Sequence, residues 1–316
     1  MQTSNYIYTY IYDHHESELC KLESKYLFKQ EEKDKVLISD VKVEPSCSAF
    51  IRKRLDVHLS SENYLDLIEK IKSEKICVDE FKVEYVVLNG DRTRYKDRLD
   101  KLRDVGYNID GIPEYYKPKT TYAICFHENT WYFGTLLKND FSWEKHNKKP
   151  FSYSNSININ IAKALVNMAG KSGNESKLLD ACCGVGTIML EACYAGKHIE
   201  GCDINWKVCR QARANLAHFN YETTVYRSDI KDIEKRYDAA IIDLPYNLFS
   251  YADENTIAHI IESSAKIANQ MVIVSTTNIS EAIDKAGFKV SDHCSVRKNE
   301  KTNFVRQIWV CVKTNA

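Results

Sequence analysis

Long apolar stretches are missing from this chain of 316 residues. It has no run of ~18 apolar residues, so no membrane-spanning helix is expected. The opening residues, Met1-Gln2-Thr3-Ser4-Asn5-Tyr6, also lack the basic and then apolar layout of a secretory leader. The two absences together lead to the expectation of a cytoplasmic protein. Net charge is missing as well: 44 basic and 44 acidic residues cancel, so a nucleic-acid partner would have to be drawn by a local patch rather than by a global field. The 11 cysteines include no Cys-x-x-Cys pair, and an odd, scattered set reads as buried or free thiols rather than as a zinc or redox site. His14 and His15 have no further ligands at a convincing spacing, so no metal is expected.

What is present suits two domains, since the length is about twice the common domain size. The first half mixes strand and helix patterns. Asn5 to Tyr12 alternates apolar and polar residues, Glu16 to Lys35 is a charged helical stretch, Lys35 to Val43 reads as a strand, and Arg52-Lys53-Arg54 is a compact basic cluster. Tyr64, Leu65, Ile68 and Ile71 recur at helical spacing, and Lys82 to Leu88 reads as a strand closed by Asn89-Gly90. Between Arg92 and Arg103, six basic residues interleave with Asp91, Asp97, Asp100 and Asp104. This is either a solvated helix face or an RNA-contacting one. Two strands, Thr121 to Phe126 and Thr130 to Gly134, then read as a hairpin. The sum is an α+β domain over residues 1–148, separated by the polar run Lys145 to Pro150 from a second domain over 149–316.

The second domain is organised around Leu178-Leu179-Asp180-Ala181-Cys182-Cys183-Gly184-Val185-Gly186-Thr187, an apolar run that ends in two glycines and passes into a helical pattern. Strand, tight turn and helix in that order bring main-chain N–H groups to a ligand. A dinucleotide fingerprint would need a third glycine where Met189 stands, whereas Asp180 is placed to hold a cationic amino-acid moiety. Asp-x-x-x-Gly-x-Gly-Thr resembles the first motif of the class I methyltransferases. The resemblance implies a seven-stranded, doubly wound, Rossmann-like α/β domain that binds S-adenosylmethionine through Asp180, Cys182, Gly184, Gly186 and Thr187. It extends to Asp203 and Ile204 at the end of the next strand, where the acid accepts the ribose hydroxyls, and to Asp229 and Ile230, where the acid receives the adenine amine.

Two further segments narrow the resemblance. The helix with Gly106, then Pro118, a strand and Trp131-Tyr132-Phe133-Gly134 is similar to the end of a THUMP domain, an RNA-binding module, over about Asp79 to Leu137. Pro150-Phe151-Ser152-Tyr153-Ser154-Asn155-Ser156, followed by the helix Ile161 to Ala169, resembles the segment that precedes the cofactor motif in THUMP-containing tRNA guanine-N2 methyltransferases. Pro150, Phe151 and Ser156 match that segment, which implies that Ser156 lies at the cofactor site, while Lys149 and Ser154 depart from it. Asp243-Leu244-Pro245-Tyr246, after the strand Tyr237 to Ile242, resembles the tetrad of enzymes that methylate exocyclic base amines. By that likeness Asp243 and the Leu244 carbonyl take the two amine hydrogens, and Pro245 and Tyr246 hold the base. No cysteine follows Pro245, which argues against carbon-5 methylation of a pyrimidine through a thiol adduct. The expected activity is methylation of an exocyclic amine in RNA, first of all guanine N2 in tRNA. A DNA adenine-N6 methyltransferase and a non-catalytic RNA-binding protein remain as alternatives.

Overall fold

Alternating tyrosine and aliphatic residues put one face of the first strand into a core, and a change to helical spacing of apolar residues marks each layer that covers a sheet. In the computed structural model, which describes residues 5–153, 156–170, 175–245, 254–297 and 304–314, this gives thirteen strands and eight α-helices among the described residues. The first part of the chain carries β1 (Tyr6–Tyr10), α1 (Ser17–Phe28), β2 (Val36–Ser39), β3 (Ile51–Ser61), α2 (Tyr64–Ser73), β4 (Phe81–Tyr85), α3 (Tyr95–Tyr107), β5 (Thr120–His127) and β6 (Thr130–Lys138). The remainder carries α4 (Ile159–Met168), β7 (Lys177–Asp180), α5 (Thr187–Tyr194), β8 (His198–Asp203), α6 (Trp206–His218), β9 (Val225–Arg227), β10 (Tyr237–Asp243), α7 (Glu254–Ile267), β11 (Ala268–Ser275), α8 (Ser280–Lys285), β12 (Phe288–Arg297) and β13 (Val305–Lys313). No helix among the described residues is long and apolar enough to cross a membrane.

Two compact units result, and neither is a continuous half of the chain. One comprises Met1–Ile11, Glu32–Ser46 and Phe50–Asp140; the other comprises Tyr12–Glu31, Cys47–Ala49 and Phe141–Ala316. The simple division at residue 148 is therefore corrected. The charged helix α1, expected in the first domain, packs in the second unit because its buried face, Leu19, Cys20, Leu22 and Phe28, is completed there.

The first unit is a six-stranded sheet in the order β2-β1-β3-β6-β5-β4, antiparallel except for the β4–β5 pair. Leu67 and Ile71 of α2 and Val105 of α3 share a core with Tyr122, Ile124, Trp131 and Phe133 of the hairpin. Gly134 faces the bulge in β3 between Val57 and Leu59, where a β-carbon would run into the Asp56 carbonyl. The basic cluster at residues 52–54 lies on β3, and its members differ in fate. Arg54 is 1% exposed, bonded to Asp56 Oδ1 at 2.6 Å, Glu44 Oε1 at 2.9 Å and the Val43 carbonyl at 2.8 Å. It is a satisfied interior cation.

The second unit is a seven-stranded sheet in the order β12-β13-β11-β10-β7-β8-β9, parallel except for β13, which runs antiparallel to both neighbours. This is the doubly wound order expected from the sequence, with the last strand inserted. The edge strand β12 is covered by α1: Glu18 Oε2 accepts the Ser295 N–H at 2.9 Å, the Tyr26 hydroxyl donates to Asp292 Oδ2 at 2.9 Å, and Lys25 pairs with Asp292. Covering an edge in this way removes a row of free strand groups that could pair with another chain.

The same helix buries Glu23 completely, with Ser48 Oγ donating to Oε2 at 2.5 Å and Asn167 Nδ2 donating to Oε1 at 2.7 Å. Burial pushes its carboxyl from 4.5 up to about 7, against the opposing pull of these two donors and Lys163. Because the folded value is the higher one, the acid favours the fold below 4.5, and that advantage is lost as pH rises to about 7. The span corresponds to about 3 kcal/mol. Glu23→Gln, which keeps a neutral amide in the same place, should therefore abolish this part of the pH dependence. Thermal unfolding of both proteins at several pH values across that window checks it, and parallel curves would remove Glu23 as the source.

Candidate active site

Four neighbouring parallel strands, β10, β7, β8 and β9, each deliver an aspartate to the carboxyl edge of the second sheet. Asp243, Asp180 and Asp203 end β10, β7 and β8, and Asp229 follows β9 by two residues. In doubly wound sheets this edge is where ligands sit. Asp180 is 1% exposed, and neither of its carboxylate oxygens has a hydrogen-bond partner among the described residues. Burial, with the like charges of Asp243 and Asp203 adding to it, pushes its carboxyl well above the usual range, and the nearby Cys182 N–H only partly opposes this. A buried, unpaired carboxylate is costly, so such a group calls for a cation.

The glycine turn is built around Asp203. Its Oδ2 accepts the Gly184 N–H at 3.1 Å and its Oδ1 accepts the Asn205 N–H at 2.9 Å, which leaves lone pairs on both oxygens. Gly184 has φ of +50° with open space where a side chain would begin, and Gly186 has φ of +82° with Ala212 packed close behind it. Met189 is admitted at the place of the missing third glycine because Gly201 of β8 lies opposite; a β-carbon there would collide with the Met189 sulfur. The close helix–strand approach is thus kept, with the glycine moved to the other partner. Thr187 opens α5 and is buried, while the Cys182 thiol, half-buried, is pushed well up by burial and stays neutral.

Ile204, directly after Asp203, is 72% exposed and offers an apolar face beside that carboxylate. Ile230 is not comparable: its side chain is 4% exposed and belongs to the core cluster with Leu179, Ile242 and Ile260. Asp229 caps the short 3-10 turn Ile230–Asp232 and accepts from the Lys231 N–H at 3.1 Å and from His259 Nε2 at 2.8 Å. These contacts, His259 above all, outweigh the effect of burial and hold its carboxyl below the usual range.

Asp243 is half-buried as a residue, but its Oδ1 is shut off from solvent and has no partner among the described residues. Burial raises its carboxyl from 3.8 to about 7, while Arg306 pulls it down. Leu244 is buried, its N–H donating to the Val274 carbonyl at 3.1 Å, and Pro245 is exposed. Tyr246 lies outside the described residues.

Ser156 is engaged in its own turn, its N–H donating to the Tyr153 carbonyl at 3.0 Å and its hydroxyl accepting from the Tyr153 N–H at 3.2 Å. The segment before it is held by a residue whose role the sequence concealed. Asn215, fully buried on α6, accepts from the Phe151 N–H at 2.9 Å and donates at 2.9 Å both to the Phe151 carbonyl and to the Val185 carbonyl of the glycine turn. An asparagine on the buried stripe of a helix was the available signal. His259 gave none, being one histidine in a polar helical stretch. Asp13, His15 and Glu16 bring one potential ligand atom each within 4.8 Å of one another, so the His14-His15 pair does have neighbours, although Glu16 already accepts from Asn160 Nδ2 at 3.0 Å.

Residues 146–271 match the model of the RMKL-like methyltransferase domain. A tRNA (guanine(10)-N2)-dimethyltransferase of Methanothermobacter thermautotrophicus is 33% identical over 116 residues, which are 36% of this chain and 34% of that protein. The enzyme of the same name from Methanocaldococcus jannaschii is 24% identical over 245 residues, covering 65% of this chain and 68% of its own. The chain thus spans about a third of the one relative and two thirds of the other. Among solved structures, TrmN from Thermus thermophilus aligns with a TM-score of 0.48 at 14% identity, over 98% of this chain and 100% of that one. Residues 146–271 accordingly match an RMKL-like methyltransferase domain, in a chain that is similar to the tRNA guanine-N2 methyltransferases.

Proposed function

We propose that this protein transfers a methyl group from S-adenosylmethionine to the exocyclic N2 of a guanine in tRNA. The observation that carries the reading is a buried carboxylate, Asp180, and a buried carboxylate oxygen, Asp243 Oδ1, on adjacent strands and without hydrogen-bond partners among the described residues: one calls for a cation and the other for a hydrogen-bond donor. The residues fit the cofactor. Asp180 answers its positive amino-acid end, the lone pairs of Asp203 its ribose hydroxyls, Ile204 the purine face, and Asp229 the purine amine. Cys182, Gly184 and Gly186 contribute main chain to the wall, and Thr187 the start of the helix. When bound, the cofactor supplies an electrophilic methyl carbon on a positive sulfur, so no acid is needed for the leaving group.

An amine on a purine is a poor nucleophile because its lone pair is drawn into the ring. Asp243 and the Leu244 carbonyl take its two hydrogens and return that pair to nitrogen, while Tyr246 stacks on the extruded base beside Pro245. The carboxylate of Asp243 then receives the proton released when the N–C bond forms. The relatives named above methylate guanine 10 of tRNA by name, and the same nucleotide is the first candidate here. The first unit is read as a THUMP-like RNA-binding domain. Arg92, Arg94 and Lys96 are exposed next to Tyr95 and provide basic and stacking groups, whereas the interior Arg54 does not. A cytoplasmic location goes with this substrate.

Three outcomes are expected. Asp203→Ala should weaken S-adenosylmethionine by ~2 kcal/mol or more, about thirtyfold, by removing both the diol acceptor and the anchor of the Gly184 turn. Calorimetric titration checks this, and an unchanged dissociation constant would take the ribose role away from Asp203.

Asp243→Ala should leave cofactor affinity nearly intact and lower single-turnover methylation of unmodified tRNA by about 10² to 10³. Because the acceptor must be ionised, wild-type turnover should rise with pH and level off above about 7. Labelled cofactor with tRNA, and with duplex DNA in parallel, reads the rate and the methylated base; N6-methyladenine in DNA would overturn the guanine assignment.

Replacing Arg92, Arg94 and Lys96 together with alanine should weaken tRNA binding and reduce its salt slope, since fewer counterions are released. Equal slopes for the two proteins would show that these side chains only solvate the first unit.

A further inference from the structure

Two donors already converge on a single oxygen of Asp229, the side chain read above as the acceptor of the purine amine. The Lys231 N–H and His259 Nε2 both reach Oδ1, at 3.1 and 2.8 Å, while the Lys231 ammonium stands off from Oδ2 at 3.9 Å, beyond hydrogen-bond range. A carboxylate oxygen has about two lone-pair sites, so Oδ1 is saturated and Oδ2 keeps its own. The two donors lie on different elements. Lys231 belongs to the 3-10 turn that Asp229 itself caps, so its N–H alone would permit the side-chain torsions usual for a capping aspartate. His259 comes from α7, thirty residues away, and its place is set by packing: Ile260 and Ile261 of α7 share a core with Ile230 of the turn, and Ile233 and Ile257 pack against it. The imidazole therefore holds the carboxylate from a rigid second support.

We propose that His259 is a positioning residue for the cofactor: by donating from Nε2 to Oδ1 of Asp229 it orients Oδ2 toward the purine 6-amino group and makes the site select an aminopurine. This rests on the cofactor reading above and adds a residue to it. Nε2 must carry hydrogen to donate, either as the neutral Nε2–H tautomer or as the imidazolium. With side chains 41% and 30% exposed, the pair is partly solvated, so its effect is of modest size and lies in orientation more than in charge.

The test is calorimetric binding of two ligands, S-adenosylhomocysteine and its analogue with hydrogen in place of the 6-amino group, to wild type, His259→Ala and His259→Gln. Wild type should prefer the amino ligand. In His259→Ala the affinity for S-adenosylhomocysteine should fall about five- to tenfold while that for the deamino analogue changes less than about twofold, so that selectivity collapses. Glutamine places an amide nitrogen near the position of the imidazole Nε2, so His259→Gln should recover most of the preference. Melting temperatures, read alongside, report folding separately. Equal weakening of both ligands in His259→Ala would make the residue a general support of the fold and overturn the proposal, as would unchanged selectivity. A wild type that binds both ligands alike would remove Asp229 from the amine, and one that binds neither would remove the cofactor reading itself; either result takes this inference with it.

Discussion

Burial of carboxylates at one sheet edge is the constraint on which the second unit depends. The parallel order β10-β7-β8-β9 brings the ends of four strands side by side, and each end carries or leads into an aspartate. Neighbouring strands lie less than 5 Å apart, and Asp180, on the strand between those of Asp243 and Asp203, is raised first by its burial and then by both of them. The protein relieves three of the four in different ways. Asp203 is spread over two main-chain donors, Asp229 is tied to His259 and Lys231, and Asp243 stands in the field of Arg306. Asp180 receives no such relief among the described residues and is the most deeply buried of the set. Its carboxyl is raised well above the usual range, and a positive group placed there would favour the ionised form.

Holding such an edge together requires a stiff frame, and the second unit supplies it with a buried polar network. His146 Nδ1 meets Glu191 Oε1 at 2.6 Å, the Lys163 ammonium reaches Glu191 Oε2 at 3.4 Å, and all three side chains are 0–2% exposed. The Lys163 ammonium also lies over the rings of Tyr194, at 4.5 Å, and Trp143, at 5.1 Å. Burial lowers the ammonium's proton affinity, while Glu191 supports it. Because Glu191 lies on α5, this network fixes the helix that begins at the glycine turn, and Asn215 fixes the turn itself from α6. Loss of one partner would leave a buried charge unpaired, which costs far more than the pair contributes.

The parts of this design that were legible in the sequence are those set by backbone periodicity and by local turn chemistry. The strand–glycine–helix corner and the hairpin at residues 120–138 both follow from patterns a few residues long. The placement of α1 was not legible, because an amphipathic helix shows that it has a buried face but not which sheet receives it. Arg54 and Arg92 look alike in a sequence, yet one closes an interior ion network and the other is exposed; only the register of β3 separates them. The long strand β3 itself was masked by the three basic residues it carries. Contacts such as Asn215 to Phe151 and His259 to Asp229 join positions 64 and 30 residues apart, and no local pattern encodes them.

Asp180 and Asp243 end adjacent strands, yet their two carboxyls are perturbed unequally. Both oxygens of Asp180 and Oδ1 of Asp243 have no hydrogen-bond partner among the described residues, and Asp243 is among the causes that raise the carboxyl of Asp180. A positive charge seated beside Asp180 would favour ionisation of that carboxyl, since it offsets both the burial and the repulsion from Asp243 that raise it. With its carboxyl near 7, Asp243 is poised where a modest field decides its state. Its ionisation is set by burial against the pull of Arg306 and not by Asp180, so the two neighbouring strand ends are perturbed for different physical reasons.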